Sequence, residues 1–219
     1  MRLTTEGLFI KISGVTTEDD ALFSIGLGAS AVGFDFALGP RQVSVSAAQD
    51  IVRRLPQGAV SVGVFRQELA QRVVEIANTL GLSAVQIDGP VSSGDLRYIG
   101  ERVNTLLRTV PAGTSRLKLD DGVDYLLLPE TDDPVALIEA LELIGNAGPR
   151  VPTIASGGLD PTSVIDVVQR FPVYGVDARA GVESAPGIKD PVLLGEFIKN
   201  ARWAYEHSYV ERHFDEWTL

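Results

Sequence analysis

The segment that decides the fold is "LFIKISGVTTEDDALFSIGLGASAVGFDF", residues 8–36. Apolar runs at 8–12 and 31–36 have the composition of buried strands. Between them, a Thr and acidic start followed by a Gly stop is typical of a capped helix. Two strands separated by a helix form a right-handed parallel unit. The segment therefore predicts a strand–helix–strand unit, with Ser13 in the loop that follows the first strand.

The same alternation continues along the chain. Further apolar, strand-like runs occupy 59–65, 83–88, 116–119, 124–128, 151–156 and 173–178, and helical spacing fills most of the intervals. Eight strands alternating with helices predict an α/β protein with a TIM-type (β/α)8 barrel. The alternative is an open, doubly wound sheet, which usually has a Gly-rich turn after its first strand. "ISGVTTED" is not such a turn.

One connection departs from this pattern. Only residues 120–123, Asp-Asp-Gly-Val, separate "RLKL" from "DYLLL". A parallel crossover needs about a dozen residues or more, and Asp-Asp-Gly is a hairpin signal. Either a helix has been lost next to strand five, or "RLKL" is not a barrel strand. We favour the lost helix, which would leave the barrel distorted there.

Bulk composition narrows the class of protein. A net charge of −10 over 219 residues argues against nucleic acid as the main partner, because phosphate backbones attract basic surfaces. It has no Cys, so thiol chemistry is excluded. No apolar run reaches the length of a membrane span and no leader is evident, so the expected compartment is the cytoplasm. We predict one domain over 1–219.

The segment 201–219 is predicted to be a C-terminal helical extension rich in aromatic residues. Three roles remain open for it: closing the bottom of the barrel, covering the gap left by the lost helix, or forming a homodimer contact. We favour packing against the chain's own barrel.

Glycines at the last two strand ends predict a phosphate site. Gly157 and Gly158 follow strand seven, and Ala180, Gly181 and Val182 follow strand eight, where a short helix is expected to begin. Glycine lets backbone amides approach a phosphate closely, and a helix N-terminus adds a favourable dipole. The loops after strands seven and eight are where such barrels hold phosphate. We expect a phosphorylated small-molecule ligand there.

Several motifs together resemble a known family. "FIKISGVTTEDDA", "AVGFDFALGPRQVS", "AVQIDG", "IASGGLDPTSV" and "YGVDARAGVESAPGIKD" are similar to phosphoribosylanthranilate isomerase of tryptophan biosynthesis, in order, over roughly residues 8–200. The resemblance implies a TIM barrel that opens a phosphorylated aminoribose and moves a proton between C2 and C1, with no cofactor and no metal. It also implies a Cys base after strand one and an Asp acid after strand six.

This sequence lacks both of those groups. Ser13 stands in place of the Cys and Pro129 in place of the Asp, with Glu130 the next carboxylate along. A hydroxyl cannot abstract a carbon-bound proton unless another base activates it. Asp88 stands in place of the family's His. The resemblance retains Lys11, Arg41, Gln86 and Asp177 at site positions, with Arg41 expected near the substrate's carboxylate.

New charges occupy positions that should face the barrel mouth. Side chains alternate along a strand, so Lys11 shares a face with Ser13, and Gln86 shares one with Asp88. The resemblance directs the faces that carry Asp88 and Arg179 into the barrel mouth, and Asp35, a new charge at a pocket position, shares its face with Gly33. Asp88 or Asp177 is a candidate ion partner of Arg179. Two main hypotheses follow: an isomerase-like enzyme in which Ser13, Asp88, Glu130 and Asp177 are the candidate catalytic residues, or a non-catalytic phosphosugar-binding protein that fills its pocket with structural ion pairs. A third alternative is that the original isomerisation persists by a substitute route, with Asp88 or Glu130 as the acid.

Overall fold

Eight parallel strands close into a barrel in the computed structural model of this chain. The structure describes residues 3, 7–110, 123–127, 137–142 and 152–210. The barrel strands are β1 Phe9–Ser13, β2 Ala31–Asp35, β3 Val60–Phe65, β4 Ala84–Ile87, β5 Leu106–Thr109, β6 Tyr125–Leu127, β7 Thr153–Ala155 and β8 Gly175–Ala178. Each strand pairs with the next, and β8 pairs with β1, so the described barrel has no free edge.

Helices cover the outside of the barrel. They are α1 Glu18–Gly26, α2 Val45–Val52, α3 Ala70–Leu80, α4 Ser93–Gly100, α5 at residues 137–142, α6 Ser163–Arg170 and α7 Pro191–Glu206. A short 3₁₀ turn, Ala180–Val182, and a small hairpin of β9 Glu183–Ala185 and β10 Ile188–Lys189 follow β8.

The helix ends follow the sequence signals. The Thr17 hydroxyl accepts from the Asp20 amide at the start of α1, and Asp190 accepts two amides at the start of α7. Helix α3 ends at Gly81, whose φ of 65° is left-handed. These caps fix where α1 and α7 begin and where α3 ends, and so set the bounds of the loops that join these helices to neighbouring elements.

The barrel interior changes from apolar to polar along the strands. At the amino ends, an apolar layer fills the lumen: Leu3, Phe9, Ala31, Val62, Ala84, Leu107, Tyr125 and Ile154. Two residues beyond that layer in β1 and β4, and at the matching level of β8, the inward face carries Lys11, Gln86 and Asp177, all buried. The lumen is therefore sealed at its base and polar at the carboxyl ends of the strands, where barrels of this architecture carry chemistry.

The expected barrel is confirmed, but the predicted position of its fifth strand is wrong. Strand β5 is Leu106–Thr109, paired with β4 and β6, whereas "RLKL", residues 116–119, lies outside the described residues. Residues 110–124 connect β5 to β6, a length that suffices for a crossover of about a dozen residues. The spacing that suggested a lost helix, residues 120–123, is therefore not the whole connection between β5 and β6. The helix expected to be missing falls within 111–122, outside the described residues.

The C-terminal segment begins as the end of α7. Ala201 and Ala204 are fully buried and Tyr205 packs against the core, whereas Tyr209 is fully exposed. Residues 211–219 lie outside the described part, so the division of the chain into domain and extension stays a prediction. No helix in the described part of the chain is long and apolar enough to cross a membrane.

Strand β5 provides a stability prediction. Leu106 is fully buried in the core, so Leu106→Ala should lower the free energy of unfolding by about 2–5 kcal/mol through lost burial and a cavity. The matched control is Leu38→Ala, because Leu38 is 89% exposed and should change stability by less than about 0.5 kcal/mol. Urea titration measures both, and similar values for the two variants would contradict the placement of β5.

Candidate active site

A polar pocket at the carboxyl ends of the strands brings together six of the predicted site residues. Its walls include Ser13, Asp35, Gln86, Asp88, Asp177 and Arg179, joined by Gly14, Val64, Thr109 and Ser156. We call this pocket the mouth. Its free volume is about 20 Å³, close to the space that a single water molecule needs. The side chains therefore nearly fill the mouth themselves.

The first cluster in the mouth forms where β1 and β8 meet. The register of these strands sets Lys11 opposite Asp177, and the Lys11 Nζ lies 3.2 Å from the Asp177 Oδ2. The Ser13 hydroxyl donates to the Asp177 Oδ1 at 2.7 Å and accepts from the Lys11 ammonium. Ser156 also donates to Asp177, at 3.2 Å. Asp177 thus lies at the centre of a buried cluster and accepts from the side chains around it. Strand alternation predicted that Lys11 and Ser13 share a face.

The second cluster lies across the mouth. Arg66 approaches Asp35 at 3.1 Å and Asp88 at 3.6 Å, and Arg179 approaches Asp35 at 3.9 Å. The Thr109 hydroxyl donates to Asp88. Two carboxylates and two guanidinium groups balance one another in charge, which is how a protein keeps partly buried ions without a large penalty.

The predicted partner of Arg179 needs correction. Its ion pair is with Asp35, whereas Asp177 is paired with Lys11 and Asp88 with Arg66. Asp88 acts on Arg179 as a weaker, more distant attraction. The sequence placed these side chains on the correct faces, but which long side chain reaches which carboxylate depends on loop geometry.

Burial perturbs two ionisable groups of the second cluster. Desolvation raises the pKa of Asp35 above its usual value, and the attraction of Arg66 offsets this only in part. Burial also lowers the pKa of the Arg179 guanidinium, and repulsion from Arg41 and Arg66 adds to the effect. Such opposed shifts are typical of functional sites, although structural ion pairs produce them too.

Gln86 has one polar atom without a partner. Its amide Nε2 donates to the Asp88 Oδ1 at 2.9 Å, whereas no donor among the described residues reaches its Oε1. The residue is only 4% exposed. A buried acceptor without a donor is uncommon and costs free energy, so such an atom calls for an explanation.

A second, larger cleft lies beside the mouth at the ends of β7 and β8. It has a volume of about 320 Å³ and is lined by Arg41, Ser156, Gly157, Gly158, Leu159, Asp177, Arg179, Ala180 and Gly181. We call it the glycine cleft. It contains four of the five residues predicted to bind phosphate. The fifth, Val182, is fully buried by its side chain and does not line the cleft.

Glycine is required in this cleft for two reasons. Gly157 and Gly158 have φ values of 104° and 62°, which other residues rarely adopt. At Gly181, a Cβ would lie 2.1 Å from the Leu159 carbonyl oxygen, so the two loops can touch only without a side chain. Substitution of Gly181 would therefore disturb the fold as well as the cleft.

A buried ion triad supports both loops from behind. Glu183 accepts from the Arg41 guanidinium at 2.7–3.1 Å and from the Lys189 ammonium at 2.8 Å. Lys189 also donates to the Ser13 carbonyl at 2.6 Å. Burial acts to raise the pKa of Glu183, but hydrogen bonds from Arg41 and Lys189 outweigh it and hold the pKa below its usual value. Burial lowers the pKa of Lys189.

Sequence reasoning missed several members of the site. Arg66 directly follows β3, a position that could have suggested a mouth residue, and Ser156 precedes the glycine pair. Thr109 was missed because β5 was placed elsewhere. Glu183 and Lys189 lie within a quoted family motif but were given no role.

Some predictions about the site fall outside these observations. Pro129 and Glu130 lie outside the described residues, so the role of Glu130 stays a prediction. Within the described ranges, no group of three or more His, Asp or Glu side chains could hold a metal ion. The expectation of a reaction without cofactor or metal also stays a prediction.

Fold and site together define a (β/α)8-barrel protein with an ionised pocket at the carboxyl ends of its strands. A sequence profile described as N-(5'-phosphoribosyl)anthranilate (PRA) isomerase matches residues 10–200. The N-(5'-phosphoribosyl)anthranilate isomerase of Rubrobacter xylanophilus is 34% identical over 206 residues, covering 88% of this chain and 98% of that protein. The chain therefore belongs to the PRA isomerase family.

Solved structures agree with this assignment. A phosphoribosyl anthranilate isomerase in complex with reduced 1-(o-carboxyphenylamino)-1-deoxyribulose 5-phosphate is 30% identical, with a TM-score of 0.74, covering 90% of this chain and 99% of that one. The enzyme from Thermus thermophilus is 29% identical with a TM-score of 0.77, covering 88% and 98%. The range matched by the sequence profile, residues 10–200, includes the glycines of the glycine cleft.

The ion triad provides a pH-dependent prediction. Because the folded-state pKa of Glu183 is lowered, its stabilising contribution is present above its ordinary pKa of 4.5 and is lost as the pH falls through the folded value. Glu183→Gln should lower the free energy of unfolding at pH 7 by about 3 kcal/mol, since Glu183 is buried and its removal leaves two cations. The deficit should shrink towards pH 3 in urea titrations.

The control for this prediction is Asp166→Asn. Asp166 forms an exposed i,i+4 pair with Arg170, and such pairs contribute about 0.5 kcal/mol or less. A Glu183→Gln deficit that is equal at pH 7 and pH 3 would show that the triad does not act through charge.

Proposed function

We propose that this chain is an isomerase-like enzyme that acts on a phosphorylated aminoribose or related sugar phosphate, with the original Amadori isomerisation lost or altered. The ligand's phosphate would lie in the glycine cleft and its sugar carbons at the mouth. One observation carries this proposal: Asp177 lines both cavities, as do Ser156 and Arg179. A carboxylate shared by the two cavities can reach the carbons of a sugar whose phosphate is anchored beside it.

The glycine cleft has the properties of a phosphate site. Among the described residues, the amides of Gly157 and Gly158 have no intramolecular acceptor, and the first amides of a helical turn, here Ala180 and Gly181, have none within the turn. Arg41 and Arg179 add positive charge to the same walls. The relative whose solved complex holds a deoxyribulose 5-phosphate supports this assignment.

Asp177 is the group best placed to move a proton. A carboxylate can accept a proton from carbon, whereas the Ser13 hydroxyl, which is bound to that carboxylate at 2.7 Å, can only relay one. Lys11 stabilises the negative charge that develops when a carbon is deprotonated. Asp88 in the mouth, or Glu130, would act as the general acid that complements Asp177. Asp35, Gln86 and Arg179 would contact the substituent of the sugar. Arg41, which the resemblance places near the substrate's carboxylate, lines the glycine cleft and would contact the phosphate side instead.

A specific observation favours a second candidate function. The mouth has only about 20 Å³ of free volume and its charges already engage one another. A protein that only binds a phosphosugar at the glycine cleft would have the same geometry. This non-catalytic binder, alone or as a partner subunit, is therefore the alternative to the enzyme.

The oligomeric state and the cellular compartment of this chain are proposed by analogy with its relatives. A solved structure from Thermotoga maritima, 30% identical, is described as monomers generated from a dimeric phosphoribosylanthranilate isomerase. We extend a homodimer to this chain as a proposal, together with the cytoplasm as the expected site of action and no nucleic-acid or membrane partner.

Phosphate binding is tested at Ala180. Its side chain is exposed on the cleft wall, so Ala180→Asp adds a negative charge beside the proposed phosphate without the backbone clash expected at Gly181. Calorimetry with ribose 5-phosphate should show at least a ~10-fold loss of affinity, as like charges in contact cost several kcal/mol. Ala180→Asn, which has the same shape and no charge, is the control. Equal affinities for the two variants would place the phosphate elsewhere.

Proton transfer is tested at Asp177. Phosphorylated pentoses and their amines would be screened for binding, and the hits followed by exchange of sugar-carbon protons in deuterated water. Asp177→Asn should keep ligand binding and lose exchange by about 10²–10⁴-fold, because the amide preserves shape but cannot accept a proton.

The outcomes of that experiment separate the two functions. Binding without exchange or product for every hit would contradict the enzyme and support the non-catalytic binder. Growth of a tryptophan auxotroph that lacks its own isomerase, restored by this chain at normal expression, would instead show that the original isomerisation has been kept despite Ser13.

A further inference from the structure

A third cavity opens where β3 and β4 lead into α3 and α4. It has a volume of about 250 Å³, and we call it the side cleft. Its apolar walls include Phe65, Leu69, Ile87, Val91 and Ile99. Phe65, Ile87 and Ile99 are at most 4% exposed and form a fixed floor, whereas Leu69 is 75% exposed and forms an open edge. An apolar cavity of about 150 Å³ already accommodates a benzene ring, so the side cleft has room for one.

Arg66 lies between the side cleft and the mouth. Its side chain lines the side cleft, while its guanidinium approaches Asp35 at 3.1 Å and Asp88 at 3.6 Å. Both of those carboxylates line the mouth. Because side chains alternate along a strand, the end of β3 turns Val64 towards the mouth and Phe65 towards the side cleft. The two cavities are therefore neighbours on opposite faces of one strand end.

The backbone around Arg66 is held in place by hydrogen bonds. The Glu68 Oε2 accepts from the amides of Arg66 and Gln67 at 2.8 and 3.1 Å. On the next strand end, the Asp88 amide donates to the Phe65 carbonyl at 2.8 Å. A passage from the mouth to the side cleft can therefore open by rotation of the Arg66 side chain alone.

Both carboxylates keep other partners when Arg66 turns away. Asp35 lies 3.9 Å from the Arg179 guanidinium, and Asp88 accepts from the Thr109 hydroxyl. Arg179 also lines the glycine cleft, where a bound phosphate would hold it in place. Opening the mouth therefore costs less free energy if Arg66 moves than if Arg179 does.

A ligand whose phosphate lies in the glycine cleft needs room for its substituent beyond the mouth. The mouth has a free volume of about 20 Å³ and cannot hold a ring, whereas the side cleft next to it can. We propose that the side cleft binds an aromatic ring carried by the sugar phosphate, and that Arg66 is the gate that admits it. This inference rests on the proposed binding of a sugar phosphate at the glycine cleft. Burial of the ring against apolar walls stabilises the complex, and the displaced guanidinium can pack over the ring face.

The ring site is tested with two ligands that differ only in the ring. They are 1-phenylamino-1-deoxyribitol 5-phosphate and 1-methylamino-1-deoxyribitol 5-phosphate, which share the phosphate, the sugar chain and the amine. Calorimetry on the unmodified chain should show the phenylamino compound binding at least ~10-fold more tightly, because its ring buries apolar surface.

A variant assigns this preference to the side cleft. Leu69→Asp replaces the apolar edge of the cleft by a charge and should reduce the preference to less than ~3-fold, through weaker binding of the phenylamino compound. Leu69 precedes α3 and makes no side-chain capping bond; Asp is a favourable cap at such a position, so the variant should fold. The matched control is Leu38→Asp, because Leu38 is exposed and lines neither cavity. It should keep the full preference.

The gate is tested by the rate of binding. Arg66→Ala removes the ion pairs that must break before the ring enters, so the association rate constant of the phenylamino compound should rise at least ~3-fold in stopped-flow measurements. Arg170→Ala, which removes an exposed pair on α6, should leave that rate constant unchanged. Thermal unfolding of all four variants confirms that they fold.

Other results would overturn the inference in distinguishable ways. Equal affinities of the two compounds for the unmodified chain would reject the ring site and leave the proposed function standing. A preference that persists in Leu69→Asp would place the ring outside the side cleft. An association rate constant that does not rise in Arg66→Ala would reject Arg66 as the gate. Failure of both compounds to bind would reject the phosphate site together with the ring site.

Discussion

The ion pair between Lys11 and Asp177 is the contact on which the rest of the site depends. It spans the seam where β1 and β8 meet, with its ammonium fully buried and its carboxylate 4% exposed. A charge buried without its partner costs several kcal/mol, so a slipped register at this seam would be strongly unfavourable. The pair therefore holds the strand ends in the one register that brings Ser13 to Asp177 and both cavities to the same carboxylate.

Most of the barrel could be predicted from the sequence because its strands are short apolar runs between well-marked helices. The exception, β5, is instructive. Leu106–Thr109 follows α4 with no Gly or Pro between them, so its apolar residues continue the apparent helical spacing. "RLKL", which is followed by the sequence Asp-Asp-Gly, resembled a strand more closely. Periodicity alone cannot distinguish a short buried strand from the end of a helix, and only pairing with β4 and β6 decides the matter.

The site was predictable to the extent that it follows from strand alternation. Alternation placed Lys11 with Ser13 and Gln86 with Asp88, and the structure shows both pairs in contact. It could not give the partner of Arg179, because a guanidinium at the end of a long side chain reaches several carboxylates and the choice depends on loops. It also gave no role to Lys189, whose contact with the Ser13 carbonyl joins positions 176 residues apart in sequence.

The two cavities differ in a way that bears on how the site would work. The glycine cleft is open, whereas the mouth is nearly filled by its own ion pairs. A ligand can therefore engage its phosphate before its reacting carbons find room, and the mouth must open by moving Arg66 or Arg179, whose side chains are 30% and 23% exposed. Lys11 and Asp177 are too deeply buried to move as readily. Under the proposed function, phosphate binding would supply the free energy that opens the mouth, while Asp177, the carboxylate proposed to transfer the proton, stays fixed.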